Sequence, residues 1–275
     1  MFLYRLDNEV IFKKAFTNQL VFTQFVKDVI GIDIVVSKIE TEKRFKPKMA
    51  YIDFSYDIFA ESTDNRVIVE IQRVNDDYNF DRFLHYHNMA IVELQRKASD
   101  YQIKRTVYTI VVLTAPSQIT DKQGKAVKDD MLISDVNPRN RKGQIVPFYG
   151  HQLIFINPNF KSDDTPAALK DWFDLILESI KNPENPTINL QNQAIKKAAE
   201  LIEDDNLTPE ERKAAKIAVA TEKTRKIVEK QAKAEGHLEG QMEIAQNMIA
   251  KDFDVKTISE ITGLDVETIH ELSME

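Results

Sequence analysis

YIDFSYDIFAESTDNRVIVEIQ, residues 51–72, reads as two strands and the turn between them. Tyr51, Ile52, Phe54, Tyr56, Ile58 and Phe59 are aromatic or β-branched, the types that suit a pleated, half-buried surface. The polar run Glu61-Ser62-Thr63-Asp64-Asn65 breaks the pattern, and Val67, Ile68, Val69 and Ile71 resume it. A short turn makes the two strands neighbours, so Asp57 and Glu70 approach each other although thirteen positions separate them. Side chains alternate along a strand, which puts Glu70 and Gln72 on one face and turns Ile71 into the core. Two carboxylates late in adjacent strands can share a hard divalent cation. Mg²⁺ takes one or two carboxylates and keeps waters or substrate phosphate in its other positions, and Mn²⁺ is the alternative ion.

The flanking sequence predicts an α/β domain around this hairpin. Apolar residues from Val10 to Val29 recur at helical spacing and predict one helix over 8–30, stopped by Gly31. Ile32 to Ile39 is a strand candidate. Residues 79–98 form the next amphipathic helix. Val107 to Leu113 is a continuous apolar run, the pattern of a strand buried on both faces. A mostly polar excursion over 117–150 has room for a hairpin. The strand Gln152–Ile156 follows, and then a helix opened by Thr165-Pro166. Asn182-Pro183-Glu184-Asn185-Pro186 marks a boundary between a core over 1–182 and a helical arm over 183–250. Thr208-Pro209-Glu210-Glu211 has the form of a capping box, with Thr208 as N-cap and Pro209 at the first helical position. Residues 251–275 read as a small helix-turn-helix-like hairpin turned at Gly263.

Composition narrows the function. The chain has 275 residues, 43% of them hydrophobic, and a net charge of −7. There is no 18-residue apolar run, so no transmembrane helix is expected, and the first residues lack the pattern of a signal peptide. The absence of cysteine excludes disulfides and zinc–thiolate sites and suits a reducing cytoplasm. An acidic chain cannot grip nucleic acid by overall charge, so any such contact needs a local basic patch. Lys43, Arg44, Lys46 and Lys48, just before the Asp57 strand, supply one candidate. The equal alternative is a solvated strand edge whose lysines block edge-to-edge pairing.

The order of these pieces resembles the PD-(D/E)xK nuclease superfamily, and within it the Rpn branch of recombination-promoting nucleases, whose last motif is E-x-Q. Glu70-Ile71-Gln72 matches that motif, and Glu9-Val10-Ile11-Phe12-Lys13-Lys14-Ala15-Phe16 is similar to the family's opening D-x-x-F-K-x-x-F helix, with Glu9 where Asp is usual. Arg82 and Tyr86 match an R-x-x-x-Y helix, and the glycine-spaced C-terminal helix with its terminal hairpin completes the likeness. The resemblance implies a restriction-endonuclease-like mixed sheet flanked by helices, with an all-helical C-terminal arm. It implies a Mg²⁺-dependent DNA endonuclease in recombination, mobile-element biology or phage defence. Asp57, Glu70 and the Ile71 carbonyl would hold the metal.

In that frame Gln72 has no charge and orients water by hydrogen bonds. Glu9 either adds a carboxylate or simply complements its helix dipole. Arg82 and Tyr86, one turn apart on one helical face, contact phosphate and stack on a ring, or else pair within the protein. His85 and His87 point to different helix faces and read as packing residues. The terminal hairpin carries Asp265, Glu267 and Glu271 where a DNA reader needs cations, which favours a protein contact and a homo-oligomer through the arm. The rival function is a nuclease-fold protein without turnover that binds or regulates through the same arm.

Overall fold

The computed structural model describes residues 1–45, 54–72, 80–95, 102–116 and 119–273. Two short helices open the chain, α1 (Glu9–Phe16) and α2 (Gln19–Ile30). The single helix expected over 8–30 is broken because Asn18 adopts an extended backbone. Its side chain accepts from the N–H groups of Leu20 and Val21, making a new N-cap. Gly31 closes α2 in the left-handed conformation at φ 76°, as its sequence position predicts. Residues 32–36 do not pair as a strand, so the expectation for 32–39 fails. Val36 instead offers its carbonyl to the Gln19 side chain, 3.3 Å away. The first strand, β1 (Ile39–Phe45), starts where that segment was to end.

β2 (Phe54–Glu61) and β3 (Asn65–Gln72) form the expected hairpin, followed by α3 (Phe80–Val92), β4 (Thr106–Leu113), β5 (Met131–Asp135) and β6 (Gln152–Ile156). The sheet runs β1-β2-β3-β4-β6-β5. β3, β4 and β6 are parallel at its centre, and β1, β2 and β5 pair antiparallel at the edges. The excursion before β6 gives a strand that pairs with β6, and it folds back on itself at antiparallel bridges between Thr120 and Ala126 and between Arg139 and Ile145.

Two small turns flank β5 and share one design. Asp121 and Asn140 each accept two backbone N–H groups from the turn they open, Gln123 and Lys125 in one, Lys142 and Gln144 in the other. Gly124 and Gly143 take the left-handed position in each, at φ 78° and 81°. An Asx side chain that mimics the backbone, followed by a glycine free to adopt positive φ, is sufficient to build such a tip.

Helices cover both faces of the sheet. On one side α1, α2, α4 (Ala167–Lys181) and α5 (Gln193–Ile202) pack against Ile58, Ala60, Val67, Val69, Ile110, Val112, Ile154 and Ile156. Trp172 lies fully buried there, its ring 5.7 Å from that of Phe16 and 5.3 Å from that of Phe25, and its indole N–H donates to Asp28 at 2.8 Å. On the other side α3 packs over Phe59, Ile68, Val107 and Val111. This mixed six-stranded sheet with flanking helices is the restriction-endonuclease-like α/β arrangement.

The compact first unit runs from Met1 to Ala215, and a second from Lys216 to Glu275. The division falls later than the Pro-rich segment at 182–186 because α5 buries Ala194, Ile195, Ala198, Ala199 and Ile202 in the main core. The long helix α6 (Pro209–Ile249) starts with the expected capping box: Thr208 Oγ1 accepts from Glu211 N–H at 3.2 Å, and the Glu211 carboxylate accepts from Thr208 N–H at 2.9 Å. In the second unit, α7 (Val255–Thr262) and α8 (Val266–Leu272) turn at Gly263 and build a small core of Ala245, Ile258, Leu264, Ile269 and Leu272.

His87 is buried against β4, with Nδ1 2.9 Å from Thr109 Oγ1 and Nε2 without a partner among the described residues. Burial, with the neighbouring His151, depresses its pKa to about 4. A histidine whose folded pKa is lowered contributes stability that is present above its unfolded value, near 6.5, and is lost as pH falls toward the folded one. Acidification from pH 7 to 4 is therefore expected to destabilise the wild type by this route. The His87→Gln variant should lose less over the same interval in urea titrations followed by tryptophan fluorescence. Parallel pH profiles for the two proteins would refute the assignment.

Candidate active site

The site forms where β2 and β3 part. Their ladder pairs Glu61 with Arg66 and continues to Ile58 with Val69, where it stops. Beyond that point side chains take over from the backbone. The Glu70 carboxylate accepts from the Asp57 N–H at 3.1 Å, and the Asp57 carboxylate accepts from the Ile71 N–H at 3.0 Å. The two acids named from sequence are thus interlocked, each accepting from a backbone N–H on the opposite strand.

Asp57 also faces β1. Thr41 pairs with Ile58 and Lys43 with Tyr56, so Glu42 falls opposite Asp57. Glu42 has φ 53°, a left-handed backbone that costs a non-glycine residue roughly 1–2 kcal/mol. Its side chain accepts from Ser55 Oγ at 2.9 Å. The first turn of α1 brings Glu9, and one turn later comes Lys13. The Lys13 ammonium pairs with Glu9 and with Glu42 and lies 3.5 Å from Asp57. Oxygen atoms of Glu9, Glu42 and Asp57 lie within 4.8 Å of one another. Three hard oxygen donors from three separate elements fit Mg²⁺ or Mn²⁺ and would not select a soft metal.

Burial sets the electrostatics. Glu70 is 1% exposed, and loss of solvent, then the charge of Asp57, pushes its carboxyl well above the usual range. The Arg82 and Lys13 charges and the Asp57 N–H oppose that rise. Asp57 is raised too, by burial first, against the Ile71 N–H and the Lys13 charge. Burial alone would lower the Lys13 pKa, but its bonds to Glu42 and Glu9 and the charge of Asp57 outweigh it and hold the ammonium above its ordinary value. Lys13 is therefore a fixed positive charge at neutral pH, placed among acids that resist ionising together.

The other sequence candidates scatter. Ile71 supplies its N–H to Asp57, and Gln72 is half-buried with its carbonyl accepting from Thr114 N–H at 3.0 Å. Arg82 lies over the Tyr86 ring, 5.2 Å from its centre, and Tyr86 meets Tyr56 edge-on, so these two residues pack against each other and the hairpin. Lys43 bonds Glu40 at 2.9 Å and lies over the Phe59 ring, while Arg44 is exposed. Lys46 and Lys48 lie outside the described residues. Sequence inspection missed Glu42 and gave Lys13 no role. Lys13 was within reach, since it sits four residues after Glu9 on one helical face. Glu42 depends on a strand register that no local pattern announces.

No helix among the described residues is long and apolar enough to cross a membrane. Comparisons with curated proteins and with solved structures return no match. The family model described as PD-(D/E)XK nuclease family transposase matches residues 8–227, which spans α1, the whole sheet and the start of α6. With Asp57, Glu70 and Gln72 inside that match, the chain belongs to the PD-(D/E)XK nuclease family transposases.

Proposed function

We propose that the protein is a metal-dependent endonuclease that hydrolyses DNA phosphodiester bonds, in recombination, mobile-element biology or phage defence. The observation that carries this is the convergence of Glu9, Glu42 and Glu70 on Asp57, with one lysine among them. Asp57, with Glu70 and the Ile71 carbonyl on one side and Glu9 and Glu42 on the other, would hold Mg²⁺ or Mn²⁺. A bound ion of this kind lowers the pKa of water and stabilises charge on a phosphoryl group.

The chain's own groups do the rest. Lys13 keeps its proton, so it cannot serve as a base; it supplies positive charge beside Asp57, the part that lysine plays in an E-x-K motif. Gln72 donates and accepts hydrogen bonds and orients water without charge. The interlock between Asp57 and Glu70 fixes both carboxylates on backbone donors, which limits their motion when a cation or phosphate arrives.

Three outcomes follow. Asp57→Ala and Glu70→Gln are expected to abolish Mg²⁺- or Mn²⁺-dependent nicking of plasmid DNA. In chelator, Glu70→Gln should raise the thermal midpoint by on the order of 2–4 °C, because a buried carboxylate pushed above its ordinary pKa is a liability in the folded chain. Wild-type nicking in Asp57→Ala would sink the site. Its absence in the wild type, with either ion, would favour the reading as a binding protein without turnover. Lys13→Met is expected to cut the nicking rate about 100-fold or more, since a single preorganised donor to developing charge contributes about that much. Lys13→Arg should restore part of it, and an undiminished rate in Lys13→Met would remove lysine from the mechanism.

The arm suits self-association. Ile217, Ile227 and Val228 are about half exposed and fall within about 100° of one another around α6, and long helices owe their stability to packing of an apolar face. Deleting residues 216–275, which leaves the first unit whole, should lower the mass seen by light scattering. An unchanged mass would assign that face elsewhere.

A further inference from the structure

A second cleft lies at the other end of β4. It has a volume of about 460 Å³ and is lined in part by Lys104, Arg105, Phe148, Tyr149, Gly150 and His151. The register places it away from the acids: Thr106, at its edge, pairs with Asn65, whereas Val111 pairs with Glu70. Five residues of strand separate the two, roughly 16 Å.

The walls are fixed. Gly150 lies so close to β4 that a Cβ there would meet the Thr106 side chain at 3.0 Å. His151 Nδ1 accepts from the Val107 N–H at 3.0 Å. The Tyr149 N–H donates to the Asn137 side chain at 2.8 Å, and the Phe148 N–H to the Val146 carbonyl at 2.9 Å. Arg105 is tied to the Ser62 carbonyl at 2.8 Å. On this anchored backbone Phe148 is 70% exposed and Tyr149 51% exposed. Aromatic rings held in solvent by a rigid backbone sacrifice burial, and ligand sites are where such exposure recurs.

Charge indicates the ligand. Residues 102–107 and 136–151 carry Lys104, Arg105, Arg139, Arg141 and Lys142 and no aspartate or glutamate, in a chain of net charge −7. Arg139, Arg141 and Lys142 lie on the exposed turn that leads into Phe148. Exposed rings beside cations are the elements of single-strand nucleic-acid binding, where bases stack on aromatics and phosphates meet cations; the Glu61 carboxylate, 3.6 Å from Arg105, offsets part of the positive charge here. The volume suits an unstacked base and its phosphate, since pockets for small ligands span about 300–1,000 Å³. A duplex presents neither free base faces nor a profile that enters such a cleft.

We propose that this cleft binds single-stranded nucleic acid, as a contact separate from the cutting site. The proposal rests on the nucleic-acid reading above for its biological sense, but its test does not require cleavage. Fluorescence anisotropy of a labelled oligothymidylate is measured with full-length Asp57→Ala protein in chelator, so turnover plays no part. Phe148→Ala with Tyr149→Ala is expected to weaken binding at least about tenfold, as loss of one stacked base does. Phe148→Tyr should retain it. Replacing Lys104, Arg141 and Lys142 with Gln should flatten the dependence of log K on log salt by about 0.7 per lost phosphate contact. Both residue groups are exposed, and circular dichroism checks that each variant folds. Unchanged affinity and slope would overturn the proposal. So would a change in light-scattering mass without a change in affinity, which would make the aromatics a protein interface. Absence of nicking by the wild type, with oligonucleotide binding intact, would count against the catalytic reading alone.

Discussion

The parting of β2 and β3 is the constraint on which the site depends. The β2–β3 ladder ends at Ile58 and Val69, one position before Asp57 and Glu70. Beyond that point the Asp57 and Ile71 N–H groups find their acceptors in the carboxylates of Glu70 and Asp57. Backbone satisfaction and placement of the acids are therefore one interaction. The parallel centre of the sheet, β3, β4 and β6, gives this gap a rigid floor, buried on both faces by the helices.

The price of that arrangement is concentrated charge. Four carboxylates from α1, β1, β2 and β3 meet in a space where one is almost wholly buried and a second is held in a left-handed backbone. Lys13 compensates part of it by bridging three of the four. Stability alone would not select such a cluster, since surface pairs contribute little and buried acids cost more. The left-handed Glu42 and the raised carboxyls of Asp57 and Glu70 are the local features that mark the cluster as a candidate functional site.

Much of this was legible in the sequence. The hairpin at 51–72 announced itself through β-branched runs on either side of a polar turn, and two of the four acids followed from it directly. The capping box at Thr208 and the hairpin turned at Gly263 were readable because their chemistry is local. What escaped depended on distant pairing. Asn18 split a helix that apolar spacing ran through, since periodicity counts faces and not caps. Residues 32–36 looked like a strand by composition but found no partner. Glu42 became a site residue through its register with β2, and β5 found β6 across an intervening segment. The domain boundary moved to Ala215 because α5 carries its apolar face into the main core, a fact of packing that a proline-rich segment cannot foretell.

The place of Trp172 has an optical consequence. It is the chain's single tryptophan, and residues 216–275 contain neither tryptophan nor tyrosine, only Phe253 among aromatic side chains. Near-ultraviolet absorption and intrinsic emission therefore belong almost wholly to the first unit, with the strongest emitter in its innermost cluster beside Phe16 and Phe25. The second unit is nearly dark at those wavelengths and bright only in amide absorption, since it is helical throughout most of its length. The two units can thus be watched separately in one unlabelled molecule: emission follows the sheet and its helices, and far-ultraviolet dichroism, once that share is subtracted, follows the arm.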